Sequence, residues 1–445
     1  MDYYELLYNG RYDELVNQAL PHVETDKDAA RAFLRLFLSR ECIFLLDEAE
    51  SIDLITDEAE KGNRYAQYAY ARWQTITRGG ENAVSLAYQY MQAAAEQKLP
   101  DAIAGLAICY EFGDIGTVDW KKEDKMLQQA FEMGSELAAV YMLQEYCFGR
   151  HFQLAQPHGA VELADQLIAR NQADGIAPCG YWYYYRATAN ESRLGRTYVT
   201  DDYRRALDLG VLKAYTDLII VHGYGDSNTV LVETKDFTSL LREGMDRLCA
   251  GAFFMDAARE MHRYEALNKL YQHDEGIQRR QVRYSVLTES HELIHSRLSQ
   301  AAQLGDTAAW EQLGDCYYDG LCGFEQSYEK AFTCYSNGAI HDAVGSIEKL
   351  WRMMHDHLID RPLDYVDSIA LQGARCGSKR LLAETVIIHQ EGRLAEYADE
   401  IERFYDPIFD APEFELDSDE DWRDVMDEQL GGEPNDDDGR YDAWA

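Results

Sequence analysis

The residues most able to do chemistry stand at Ser290 to Leu298, which reads SHELIHSRL and contains His291-Glu292-Leu293-Ile294-His295. On a helix, positions i and i+4 share a face, so both imidazoles can hold one Zn²⁺ while Glu292 acts as general base, the arrangement of a zinc-dependent metallopeptidase. Such a centre needs a third protein ligand. The continuation after His295 is SRLSQAA, with no further histidine at the right spacing, which leaves Glu311 and Asp315 on the following helical stretch as candidates. No G-x-S-x-G elbow, phosphate-binding loop or G-x-G-x-x-G is present, and Gly223-Tyr224-Gly225 reads as a turn.

These residues must be positioned by something, and the chain around them is periodic. Ala301 to Ala339 reads as a small-residue pair, a turn at Gly305-Asp306, and a helix through Ala308, Leu313 and Tyr317. A glycine-bearing loop at Gly320 to Gly323 and a second helix through Ala331, Tyr335 and Ala339 follow. Earlier copies run over 58–95 and 93–134, and Gly62, Lys98 and Gly134 fall about 36 residues apart, the spacing of a paired-helix repeat. Alanine lets two helices approach closely, and glycine ends a helix in the left-handed conformation that other residues resist. Weaker copies start near Gly210, Gly338 and Gly377.

The pattern resembles Sel1-like repeats, the tetratricopeptide-related family of helix-turn-helix units, on Leu313-Gly314, Tyr317, Gly320, Lys330-Ala331 and Gly338-Ala339. The resemblance implies an all-α fold, an α/α superhelical solenoid of paired antiparallel helices whose concave face binds other proteins. The expected organisation is N-terminal capping helices at 1–56, repeats at 57–150, an irregular helical region at 151–290, repeats at 291–405 and an acidic tail at 406–445. Within the irregular region, Asp217 to Phe237 carries two apolar runs around a Gly/Asp/Ser/Asn turn, which reads as a local β-hairpin or an inter-helix insertion.

The repeat bears on the histidines. Counting ten residues back from Ala301 lands on His291, and the same register place in other copies holds Val84, Trp120 and Tyr328. The helix and its amphipathicity are therefore accounted for by the repeat with no metal, and no catalytic, metal or cofactor residue is assigned.

Composition narrows the function classes. The 445 residues are 46% apolar, enough for a sizeable core, and the 8 prolines favour helix. Eighty acids against 42 bases give a net charge of -38, which repels nucleic acid and anionic lipid and attracts basic partners. The opening MDYYELLYNGRYDELV shows neither a basic nor an apolar leader region, and no apolar run spans a bilayer. The nine cysteines are scattered with no C-x-x-C, as in a reduced cytoplasmic protein.

Two stretches stand out as partner surfaces. The run Tyr181 to Arg186, YWYYYR, points around a whole helix, so it either packs against neighbouring helices or offers Tyr181, Trp182, Tyr184 and Tyr185 as anchors on the concave face. In the tail, Ser418 to Gly432 reads as a short helix with Trp422, Met426 and Leu430 in one stripe, fit to cap the solenoid's own end or dock to a partner. The expected function is a non-catalytic scaffold or adaptor for a protein or peptide, basic in character, with an immunity or inhibitor role among its readings and the metallopeptidase as the alternative.

Overall fold

A computed structural model describes residues 2–77, 80–112, 118–149, 154–195, 198–224, 234–271 and 277–402. It opens with short helices: α1 (Tyr3–Tyr8), α2 (Tyr12–Ala19), α3 (Lys27–Leu36), α4 (Arg40–Phe44), a π-helical turn (Glu48–Ile52) and α5 (Asp53–Glu60). Among the described residues eight helix pairs follow. They are α6 (Arg64–Thr77) with α7 (Gly80–Glu96), α8 (Pro100–Phe112) with α9 (Trp120–Glu132), and α10 (Glu136–Phe148) with α11 (Pro157–Ala173). Next come α12 (Gly180–Leu194) with α13 (Thr200–Asp208), α14 (Ala214–Tyr224) with α15 (Lys235–Asp246), and α16 (Ala250–Tyr271) with α17 (Ile277–Gln303). The last are α18 (Thr307–Asp319) with α19 (Tyr328–Ile340) and α20 (Val344–His355) with α21 (Leu363–Arg375), followed by α22 (Lys379–Gln390). From α5 onward each helix packs on its sequence neighbours, and no strand occurs among the described residues. The fold is an all-α solenoid.

One turn recurs along it. A residue with positive φ follows α5 at Gly62 and the second helix of each pair at Lys98, Gly134, Gly175, Gly210, Leu248, Gly305, Asp342 and Gly377, in steps of 36, 36, 41, 35, 38, 57, 37 and 35 residues. The following amide then donates to the carbonyl five residues back, as from Asn63 to Glu58 at 3.1 Å, Cys249 to Gly244 at 2.9 Å and Ser378 to Gly373 at 2.9 Å. This satisfies otherwise orphaned helix carbonyls. The long step crosses α16 and α17, which have 22 and 27 residues.

In the best-defined unit Leu313, Ala331 and Tyr335 are buried, and Tyr317 is half-buried. Ala309, not Ala308, is the fully buried alanine of α18. A β-carbon on Gly314 would lie 2.3 Å from the Tyr335 ring, so only glycine lets that ring reach the facing backbone. The hairpin expectation is corrected at its first run. Leu218 to Val221 lie inside α14, and Thr234 caps α15 by accepting from the Phe237 amide at 3.0 Å. Residues 225–233, the intended turn, lie outside the described residues.

Candidate functional site: the inner face and its occupant

The helices α1 to α4 do not repeat, and they touch the turns of many successive pairs. Tyr8 alone meets three. Its hydroxyl donates to the Pro178 carbonyl at 3.0 Å, and its own carbonyl accepts from Arg247 Nη2 at 2.7 Å. A β-carbon on Gly210 would stand 3.4 Å from its Cα. These are turns of three consecutive repeats, and the side of the array that they share is termed its inner face. The rest of the segment spreads from there. Arg64 of α6 pairs with Glu24 at 3.1 Å, a β-carbon on Gly305 would lie 2.5 Å from the Phe44 ring, and that ring stands 6.1 Å from His341. The array also bends back on itself. Val118 and Trp120, just before and at the start of α9, share an apolar cluster with Leu371, Ala374, Leu382, Val386 and Ile401.

The helix α3 is the centre of this occupant. Asp26 caps it, accepting from the Asp28 and Ala29 amides at 2.9 and 3.3 Å. Ala29, Ala32, Phe33, Leu36 and the following Phe37 are completely buried. Burying each such leucine or phenylalanine contributes about 1.5–3 kcal/mol. Phe37 meets Tyr68 of α6 edge-on at 6.4 Å, and Arg72 Nε donates to the Phe37 carbonyl at 3.4 Å, placing a cation where the helix dipole is negative.

Among these apolar residues sits Arg35, whose side chain is 4% exposed. Its Nε and Nη2 donate to the two carboxylate oxygens of Glu136, the first residue of α10, at 2.7 and 2.8 Å. Nη2 also donates to the Ala177 carbonyl at 2.9 Å, and Nη1 to the Pro178 carbonyl at 2.8 Å. The Tyr4 ring lies 5.4 Å from the guanidinium carbon. A small cavity of about 20 Å³, room for roughly one water, lies beside it along the seam with Tyr8, Ser39, Cys42 and Gly180. Burial pushes the thiols of Cys42 and Cys179 there up to about 11 and about 12, away from thiolate chemistry.

The aromatic run of α12 is corrected. Tyr181, Trp182, Tyr184 and Tyr185 are 7%, 2%, 6% and 2% exposed, so they are interior packing residues rather than a surface for a partner. The reason is that α12 is enclosed by α10, α11 and α13, with the N-terminal segment on its remaining side. Three of these tyrosines surround the Lys213 ammonium, which lies 4.2, 4.8 and 5.7 Å from the rings of Tyr184, Tyr185 and Tyr181. Trp422, Met426, Leu430 and the rest of the acidic tail lie outside the described residues.

The histidine pair lies on α17 and packs around one phenylalanine. The Phe324 ring is 4.6 Å from His291 and 5.8 Å from His295, and His291 Nδ1 stands 3.2 Å from the Cys322 carbonyl. Partial burial holds the His295 imidazole below its ordinary value, and the neighbouring His291 and Lys330 charges act in the same direction. That lysine also opposes a second cation at this place. The two carboxylates proposed as third ligand face elsewhere. Lys349 Nζ donates to Glu311 at 2.7 Å and to Asp315 at 2.9 and 2.8 Å, and the Tyr335 hydroxyl donates to Asp315 at 2.7 Å. Among the described residues no three His, Cys, Asp or Glu side chains are gathered to hold a metal, and no helix is long and apolar enough to cross a membrane.

Neither a family model nor a curated protein matches the chain. Solved structures do, two of them as follows. A Sel1 repeat protein from Oxalobacter formigenes is 14% identical, covering 74% of this chain and 88% of its own at a TM-score of 0.32. A protective antigen present in uropathogenic Escherichia coli strains, displaying an SLR fold, is 15% identical, covering 80% of this chain and 70% of its own at a TM-score of 0.33. The likeness is to Sel1 repeat proteins. At these scores it carries nothing about function, and the solenoid described above rests on this chain's own helices and turns.

Proposed function

We propose that this chain is a non-catalytic interaction scaffold that holds a helical protein segment against the inner face of its array. The supporting observation is that the inner face is already furnished for a helix: it grips α3 through an apolar bed, a carboxylate fork at Glu136 and Arg72 at the helix end. The net charge of -38 favours a basic partner, which it would draw in from a distance at low salt. An inhibitor or immunity role, in which a cationic partner is held and silenced, is the finer form of this proposal.

Hydrogen exchange of the full chain, with and without a cationic amphipathic helical peptide, tests the reading. Protection gained at the inner-face turns around Gly134, Gly175 and Gly210 supports it. Association should also slow strongly between low salt and roughly 0.15 M, where the Debye length is about 8 Å. No added protection, or protection confined to residues away from those turns, refutes it.

A further inference from the structure

The side chain that anchors the occupant and the groups that receive it belong to different parts of the chain. Glu136, Ala177 and Pro178 are all contributed by the repeats, whereas Arg35 comes from the non-repeating segment. We infer that Glu136 and the carbonyls of Ala177 and Pro178 form an arginine-binding pocket on the array, for a guanidinium carried by an apolar helix, which Arg35 fills from the same chain. The inference rests on the scaffold reading and names the kind of segment that would be recognised.

The pocket matches a guanidinium in number and plane. A guanidinium offers five N–H donors in a fixed fork, and four hydrogen bonds are made here, two of them side by side on one carboxylate. A lysine ammonium lacks that fork and would satisfy at most part of the set. The carboxylate stands in the first turn of α10, where the helix dipole holds an anion in place, and it lies 3.7 Å from a second arginine, Arg31. The two carbonyls are available because Ala177 and Pro178 fall between the Gly175 turn and the start of α12, in backbone with no helical partner of its own. Around the pocket the array supplies Tyr68 against Phe37 and Arg72 against the helix C-terminus, so it also reads an apolar flank and a helix end.

The ligand is a segment that folds as it binds. The helix α3 has ten residues, too short to hold its shape alone in water. A competing segment needs an arginine with apolar residues two and three places before it and one and two places after it, the places of Phe33, Ala32, Leu36 and Phe37.

The full chain supplies the test. A protease site is inserted after Leu46, the protein is folded and then cleaved, and a labelled synthetic peptide of residues 1–46 is added. Exchange of the labelled peptide into the nicked protein is expected. Peptides with Arg35→Ala or Arg35→Lys should compete at least tenfold more weakly, and Glu136→Gln in the array should abolish that preference. Equal competition by the Arg and Ala peptides would show apolar docking without a pocket, and a fragment that never exchanges would show a permanent brace; either overturns the inference. Should the insertion block folding, the uncut Arg35→Ala chain is melted with millimolar methylguanidinium or methylammonium. Selective stabilisation by the first supports the pocket, and equal or absent effects overturn it. Loss of the arginine preference leaves the scaffold reading standing, since its own test asks only where a cationic helix is protected.

Discussion

Replacing Glu136 with alanine should release the N-terminal segment before it unfolds the array. The substitution leaves the Arg35 guanidinium, 4% exposed, with two of its four hydrogen bonds gone and no counter-charge on its fork. Breaking one side of a buried ion pair costs about 3–5 kcal/mol, because the remaining charge stays desolvated. At about 1.4 kcal/mol per decade, amides of α3 should lose roughly two to four decades of exchange protection. Amides of α20 to α22, remote from the pair, should change little. Glu136→Gln, which keeps an acceptor oxygen and loses the charge, should cost less. An apolar pair, Arg35→Met with Glu136→Leu, should recover much of the loss, since well-packed hydrophobic replacements of buried ion pairs are often neutral or better. Hydrogen exchange read by mass spectrometry at peptide resolution is the assay. A loss below about one decade in α3, or an equal loss across the whole array, would refute the view that this pair fixes the segment to the inner face.

Ala331→Trp should destabilise by about 1–3 kcal/mol, because the side chain is fully buried between helices, and an unchanged melt would contradict the register of that pair. Lys98→Gly should stabilise by roughly 0.5–1 kcal/mol, since Lys98 is exposed and holds a φ of 60°, measurable by denaturant midpoint. Burial pushes the carboxyls of Asp101 and Asp217 up to about 6 and about 7. The folded state therefore binds protons more tightly than the unfolded one, and stability falls as pH rises from about 4 through 7. Melting temperature should drop between pH 5 and 8, and Asp217→Asn should flatten that slope; a rising curve would contradict the assignment.

The repeat was legible at Gly62, Lys98, Gly134 and Gly305, weak at Gly210 and Gly377, and unread at Gly175, which closes a 41-residue step. It faded where Leu248 adopts the left-handed conformation, because a leucine gives no signal there and the following pair is long. The α12 tyrosines read as core or as surface, because a helix that is apolar all round appears overfilled until every neighbour is known. Their last neighbour is the N-terminal segment, placed there by contacts more than a hundred residues away in sequence. Arg35 itself was invisible as a site: an arginine in an apolar helix ordinarily extends its head to water, and nothing local announces the carboxylate at position 136. The histidine pair shows the converse, since a chemical motif was legible while its packing against Phe324 was not.

A repeat array ordinarily behaves as a row of units, each sensing only the next, and such rows can melt from one end. The bond from Arg247 to Tyr8 joins residues 239 positions apart, and the pair at Arg35 and Glu136 joins residues 101 apart. A segment that ties several units to one hub couples their unfolding, so the region from α6 to α16 should open in a single cooperative step. The same ties demand that distant parts of the chain meet before they are rewarded, which slows folding. The inner segment thus converts a modular chain into one thermodynamic body, at the expense of the speed that modular chains enjoy.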